Sequence, residues 1–375
     1  MFRLSHFLRE ILAPTPMAST PRSRSGPVVI WNLIRRCNLT CKHCYSISGD
    51  VDFPGELSTA EVFAVMDDLK AFHVPALILS GGEPLMRRDI FEISTRAKVM
   101  RFYVGLSSNG TLIDPAMADR IRDVGYDYVG VSLDGIGATH DRFRHKEGSY
   151  QAALGGLQRL RDRGIKVGVR FTMTQDNASE LPVLLDLIER ERFPKFYLSH
   201  LVYAGRGNKN RGDDATWGTS RAAMDIVIER TWAWTRAGAG IEVVTGNNDA
   251  DAVHLLHWAE RNAPASVSHP RQRASRHHVV ALQPGQYQRA PVLGHLERCF
   301  RSHYGGAQTQ SASHRRALRR MRVLRCLRRK HARARHAACR RSLGRGSGLL
   351  SHRCRDRACC PEPSHHGHSV SRSPP

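Results

Sequence analysis

Six short runs of β-branched and aliphatic residues, each followed by a stretch with helical spacing, constrain this chain more than any other feature. The runs are Val28–Ile34, Ala76–Ser80, Tyr103–Ser107, Tyr128–Leu133, Lys166–Met173 and Lys195–Leu201. Their nearly continuous apolar character is that of strands buried on both faces. Helical patterns lie between them near Ser58–Phe72, Asp89–Met100, Pro115–Val124, Ser149–Arg163 and Ala178–Arg190, and a sixth covers Thr219–Arg236. Ser58 and Glu61 have the spacing of a capping box at a helix start. Six β-α repeats of roughly 25–35 residues predict a parallel sheet with right-handed crossovers. The alternation alone fits a doubly wound open sheet and a partial β/α barrel equally well.

The alternation stops near Asn262, and the balance of charge stops with it. Residues 1–262 carry 33 Lys and Arg against 31 Asp and Glu, whereas residues 263–375 carry 24 against 3. The chain's net charge of +23 therefore describes neither part. Four segments follow: a leader over 1–27, extended and rich in Pro, Ser and Arg; a β/α core over 28–215; a helical extension over 216–262; and an Arg/His-rich tail over 263–375. The tail has one lysine among its 24 basic residues. Such uncompensated charge does not fold alone. It fits out-of-frame translation of a GC-rich gene, the rival being an arginine-rich nucleic-acid-binding tail. No apolar run approaches the roughly 18 residues of a membrane span, and charges interrupt the apolar residues of the N-terminus where a signal peptide needs a core. These features point to a soluble cytoplasmic protein.

The strongest chemical signal is Cys37-Asn38-Leu39-Thr40-Cys41-Lys42-His43-Cys44, directly after the first strand. Three thiolates within eight residues can wrap one metal centre, and sulfur ligands suit an iron–sulfur cluster or zinc. Structural zinc wants a fourth ligand, and His43 is badly placed to supply it as the neighbour of Cys44. Three ligands on a four-iron cube leave one iron open to a reactant. The plainer alternatives are buried structural thiols or a disulfide, the latter disfavoured in the cytosol.

A C-x3-C-x2-C loop after the first strand of a β/α repeat protein resembles the radical S-adenosylmethionine (SAM) superfamily. The resemblance spans about Val28–Leu201 and rests on further motifs in order. Ser80-Gly81-Gly82-Glu83-Pro84 follows the second strand and looks like the family's GGEP motif, which implies that Gly81, Gly82, Glu83 and Pro84 contact the SAM amino group. Ser107-Ser108-Asn109-Gly110 and Ser132-Leu133-Asp134-Gly135 end the third and fourth strands, where β/α folds build their sites. They resemble family segments that line SAM, which nominates Asn109 and Ser132; Asp134 stands evenly between ligand contact and a turn. Arg144 and Arg170 are candidates for the SAM carboxylate, although a strand arginine such as Arg170 can equally pair within the core. The resemblance implies a partial (β/α)6 barrel, a [4Fe–4S] cluster on Cys37, Cys41 and Cys44, and SAM chelated at the open iron.

A narrower resemblance, carried by Trp31–Tyr45, Lys195–Leu201 and Thr245–Val253, is to the radical SAM family of haem d1 biosynthesis, a pathway that serves denitrification. It implies a 5′-deoxyadenosyl radical that removes or replaces propionate side chains of a sirohaem-derived tetrapyrrole, and an electron donor such as flavodoxin or ferredoxin. A substrate rich in carboxylates wants cationic clamps. Arg206, Lys209 and Arg211 are the candidates, with a solvated basic loop as the alternative. His200 is a candidate ligand of the substrate iron, set against a hydrogen-bonded structural histidine. The rival functions are modification of a peptide or an RNA, or another haem-pathway decarboxylation. The near-neutral body and the lack of regular aromatic interleaving in the tail disfavour nucleic acid, and nothing calls for a membrane. The family also carries an auxiliary iron–sulfur cluster, but Cys299, Cys326, Cys339, Cys354, Cys359 and Cys360 form no compact chelating pattern, so none can be assigned.

Overall fold

The computed structural model of the protein describes residues 1–13, 26–263 and 279–282. Helix α1 (Leu4–Leu12) is followed by strand β1 (Val28–Ile34), α2 (Thr59–Ala71), β2 (Ala76–Gly81), α3 (Ile90–Val99), β3 (Tyr103–Ser108), α4 (Pro115–Val124) and β4 (Tyr128–Ser132). Then come α5 (Ala138–Arg144), α6 (Ser149–Asp162), β5 (Val167–Met173), α7 (Leu181–Arg190), β6 (Lys195–His200), α8 (Gly205–Lys209), α9 (Trp217–Arg236), β7 (Glu242–Gly246), α10 (Ala250–Asn262) and β8 (Val279–Leu282). All strand pairings are parallel, in the order β7-β6-β5-β4-β3-β2-β1-β8. Strands β1 to β7 form a half-barrel with helices outside it, as the partial-barrel expectation requires.

Local chemistry fixes the elements. Ser58 and Glu61 close the expected capping box at the start of α2. Asp114 caps α4 ahead of Pro115, and Gly125 ends that helix with a left-handed φ of 72°. Each strand divides its residues between two faces. Trp31, Leu79, Leu106, Val131, Phe171 and Leu198 join the hydrophobic core beneath the helices. The opposite face carries Asn32, Ser80, Ser107, Ser132, Arg170 and Tyr197, with Gly105, Gly130 and Gly168 between them in register. Small and polar residues leave this inner face open to a ligand. The β1–β2 register slips between Asn32 and Ile34, just before the cysteine loop; such bulges re-aim the chain near sites.

Three findings depart from the sequence reading. Leu4–Leu12, assigned to an extended leader, is a helix whose Leu4, Leu8 and Ile11 enter the core. Its Ser5 hydroxyl bonds Val243, and Phe2 bridges Thr245 through N–H···O bonds of 2.7 and 2.8 Å, so the chain start covers the free edge of β7. Glu242–Gly246, assigned to a helical extension, is a seventh strand; five residues give too short an alternation to register by eye. Val279–Leu282, within the tail, pairs with β1 from Val28↔Val279 to Trp31↔Leu282; a β-prone apolar tetrapeptide meets an open edge there. The rest of the tail, including all six of its cysteines, lies outside the described residues. Among the described residues no helix is long and apolar enough to cross a membrane.

Candidate active site

Cys37, Cys41 and Cys44 come together as a small group of their own, packed around Leu39 and apart from the main core. All three are free thiols. The loop that carries them is anchored on every side. Cys37 donates its N–H to Gly49 (2.9 Å) and Lys42 to Phe143 (3.2 Å). Asn38 exchanges side-chain bonds with Thr111 (2.9 Å) and Asn109 (2.8 Å) at the end of β3. Arg206 donates from Nε to the Cys41 carbonyl (2.7 Å) and from Nη1 to the Ser48 carbonyl (2.6 Å). Asn210 donates to the Lys42 carbonyl (2.9 Å).

Each sulfur has a donor beside it. Asn109 Nδ2 is 3.9 Å from Cys37 Sγ, Arg144 Nη1 is 3.4 Å from Cys41 Sγ, and the Ser46 and Ser48 hydroxyls lie 3.2 and 3.1 Å from Cys44 Sγ. Burial pushes the Cys37 thiol up to about 12, helped by the Glu83 carboxylate, and raises Cys41 as well. Burial opposes ionisation at Cys44 too, but Ser46, Ser48 and the Arg206 charge outweigh it and hold that thiol below its ordinary value. The two buried thiols, Cys37 and Cys41, thus lack enough positive charge nearby to ionise. A cationic centre bound among them supplies it, and the surrounding donors suit coordinated thiolates. Among the described residues no three His, Cys, Asp or Glu side chains gather as they would around a single ion. Three sulfurs on one loop, each with a hydrogen-bond donor beside it, are a donor set that fits an iron–sulfur cluster.

The second motif has a different geometry from the one its sequence suggests. Gly81 holds φ at 151°, and a Cβ there would collide with the Ile34 backbone; one at Gly82 would collide with the carbonyls of Arg35 and Arg36. Gly82 and Glu83 donate their N–H groups to Ile34 (2.6 Å) and Arg36 (2.9 Å). The close approach that these glycines permit is to the strand leading into the cysteine loop. Glu83 is fully buried, and its carboxylate accepts from Asn109 N–H (2.7 Å), Ser108 Oγ (2.8 Å) and Leu85 N–H (3.1 Å). It therefore ties the end of β2 to the end of β3. Burial raises its carboxyl to about 7. Pro84 opens a short 3-10 turn behind it.

Arg144, read as a candidate for the SAM carboxylate, is buried and ion-paired with Asp134 as well as bonded to Cys41. Asp134 is itself fully buried and accepts from Thr172 N–H (2.7 Å). Burial works against its charge, but Arg144 and the neighbouring histidines prevail and hold it below the usual carboxylate range. Burial brings His43 and His140 down to about 4, leaving both neutral at pH 7. Asp134 and Arg144 are thus committed to each other, as a buried pair must be.

Arg170 crosses the inner face from β5 to bond the Ser107 hydroxyl on β3. Only a glycine at position 130 leaves it room, since a Cβ there would stand 2.9 Å from Arg170 Cδ. Ser132 lies in register beside Arg170, half-buried, and its hydroxyl has no hydrogen-bond partner among the described residues. Asn109 and Ser132 therefore sit at the strand ends where the motif reading puts them, one bonded to the cysteine loop and one open.

The proposed clamps separate. Arg206 is taken up by the cysteine loop, and Lys209 and Arg211 are exposed on and after α8. His200, buried at the end of β6, has its Nε2 3.0 and 3.1 Å from the two oxygens of Asp251. Sequence reasoning missed Asn38, Thr111 and Asp251, whose contacts lie far off in the chain, and Ser46 and Ser48, whose hydroxyls turn back on Cys44 from two and four residues further on.

A half-barrel of parallel strands with three cysteines on the loop after its first strand defines a class, and comparison with known proteins agrees. The sequence profile of the Radical SAM superfamily matches residues 31–188, and the chain belongs to that superfamily. It is an enzyme that uses a [4Fe–4S] cluster and SAM. It is 55% identical over 277 residues to the pre-heme d1 synthase of Dinoroseobacter shibae, covering 72% of this chain and 68% of the relative. It is 46% identical over 229 residues to the Fe-coproporphyrin III synthase of Methanosarcina barkeri, covering 61% and 57%. Among solved structures, Streptococcus suis SuiB bound to S-adenosylmethionine shares the fold, with a TM-score of 0.52 at 13% identity over 63% of this chain and 53% of that one.

Proposed function

We propose that this protein is a radical SAM enzyme of haem d1 biosynthesis that removes or replaces propionate side chains on a sirohaem-derived tetrapyrrole. The observation that carries the reading is the 55% identity to a pre-heme d1 synthase over 277 residues. Cys37, Cys41 and Cys44 hold the cluster, which together with SAM supplies a carbon-centred radical able to abstract hydrogen. The chain's own residues prepare that chemistry. Asn109, Arg144, Ser46 and Ser48 place donors beside the three sulfurs, and Arg206 keeps the loop closed. Gly81 and Gly82 set the depth at which the second motif lies against the loop, and Glu83 locks it to β3. Ser132, Asn109 and Arg170 line the SAM side. A flavodoxin or ferredoxin serves as reductant, and the protein works in the cytoplasm without nucleic-acid or membrane partners.

The 34% identity to mycofactocin maturase of Mycobacterium tuberculosis favours a second reading, peptide modification, but over only 60% of that relative. The test is to incubate anaerobically reconstituted protein with didecarboxysirohaem, SAM and a reductant, and to weigh the products. Loss of propionate mass with formation of 5′-deoxyadenosine supports the proposal. An unchanged tetrapyrrole, with turnover of a peptide, moves the enzyme to the second reading.

A further inference from the structure

A cavity of about 990 Å³ opens at the carboxyl ends of β6 and β7, walled by one side of α9 and one side of α10. That is the upper end of the ~300–1,000 Å³ that small-molecule sites span. It adjoins the cysteine loop, because Leu201 lines both the cavity and the narrow crevice that contains Lys42 and His43.

Charge in its wall is uneven. His200 is paired with Asp251, His254 Nε2 lies 2.7 Å from Asp225, and His257 Nδ1 lies 3.1 Å from Glu260. Asp214 accepts from the Tyr203 hydroxyl at 2.5 Å. Arg221 on α9 and Arg261 on α10 differ: both line the cavity, both are exposed, and neither has a carboxylate partner among the described residues. Two helices therefore bring two unmatched guanidinium groups to one space, each a fork suited to a carboxylate. The remaining wall is apolar at Leu201, Met224 and Val253, and Trp217 stands at the rim with 86% of its surface exposed. An indole left bare beside two free cations suits a flat, apolar ligand with more than one acid group.

We propose that this cavity binds the macrocycle of the substrate, with Arg221 and Arg261 clamping two of its carboxylates and Trp217 covering a ring face. The assignment rests on the tetrapyrrole reading above and gives the substrate a site that the motifs of the cysteine loop do not supply. It replaces Arg206, Lys209 and Arg211 as clamps.

The experiment titrates the reconstituted full chain with coproporphyrin III, a metal-free tetrapyrrole with four propionates, and with its tetramethyl ester. The wild type binds the free acid and binds the ester at least about tenfold more weakly, the loss of one charge-assisted contact. Arg221→Gln and Arg261→Gln each weaken the free acid by about tenfold or more without affecting the ester, and Arg→Lys at either position restores part of the loss. Wild-type iron and sulfide content and an unchanged thermal midpoint show that the variants are folded. Equal affinity of both Gln variants and the wild type for the free acid overturns the site but leaves the tetrapyrrole reading standing. A wild type that binds neither acid nor ester overturns both.

Discussion

Removal of the Arg206 side chain tests whether the cysteine loop is held shut from across the half-barrel. Its guanidinium makes two strong contacts, 2.7 Å to the Cys41 carbonyl and 2.6 Å to the Ser48 carbonyl, and a marginal one of 3.5 Å to Ser48 Oγ. A hydrogen bond from a charged donor contributes about 1.5–3 kcal/mol when the alternative is an unpaired group. Arg206 is half-buried, so water recovers part of what Arg206→Ala removes, and a net cost of about 2–3 kcal/mol follows for the closed loop. That raises the open population about 30–150-fold. The backbone bond from Arg206 N–H to the Cys44 carbonyl (2.9 Å) survives, so α8 keeps its position. The assay is anaerobic release of iron from the reconstituted protein to a ferrous chelator. Arg206→Ala should speed release by about the same factor, and Arg206→Lys, whose ammonium reaches one carbonyl, by less. Wild-type iron content and an unchanged release rate in Arg206→Ala would refute the stapling role.

Replacing Cys37, Cys41 and Cys44 together with alanine should abolish the brown chromophore and all 5′-deoxyadenosine formation; surviving SAM cleavage would remove the three cysteines from the cluster. Glu83 makes stability fall with rising pH: its folded carboxyl titrates near 7 against 4.5 when free, so the folded state holds the extra proton between those values and loses about 3 kcal/mol across them. Urea midpoints from pH 4.5 to 7.5 should show that decline in the wild type and a flatter profile in Glu83→Gln, which starts lower because its amide faces the Asn109 N–H; parallel profiles would rule out a raised carboxyl. Residues 263–375 should prove out of frame: reading the gene's other two frames beyond the codon for Asn262 should uncover a long open frame with balanced charge and regularly spaced cysteines. Early stops in both would make the basic tail genuine.

Much of the architecture was legible because buried parallel strands are continuous apolar runs. Val28–Ile34 and Pro115–Val124 match their elements, and the other strands of the first six shift by no more than one residue at either end. Glu242–Gly246 escaped because five residues beside Gly238 and Gly240 resemble a turn; its pairing with β6 makes it a strand. Leu4, Leu8 and Ile11 have helical spacing, but the Pro-rich stretch behind them drew the whole segment into a leader. At the site, residue types and order were legible and commitments were not. Glu83 reaches Asn109, Arg144 reaches Asp134 and Arg206 reaches back 165 residues to Cys41, and no sequence period encodes such partners.

The docking of α1 on β7 also fixes an order of events during synthesis. Ser5 bonds Val243, 238 residues further on, so α1 is made long before the strand on which it docks. At roughly 5–20 residues per second, a ribosome needs about 10–50 s to produce the partner strand. Through that interval Leu4, Leu8 and Ile11 form an apolar stripe with nothing to cover it, a target for chaperones and for other nascent chains. The β7 edge of the sheet closes at the pace of translation, not of loop diffusion, and a bulky group added ahead of Phe2 interferes with the β7 end of the half-barrel before it affects the β1 end.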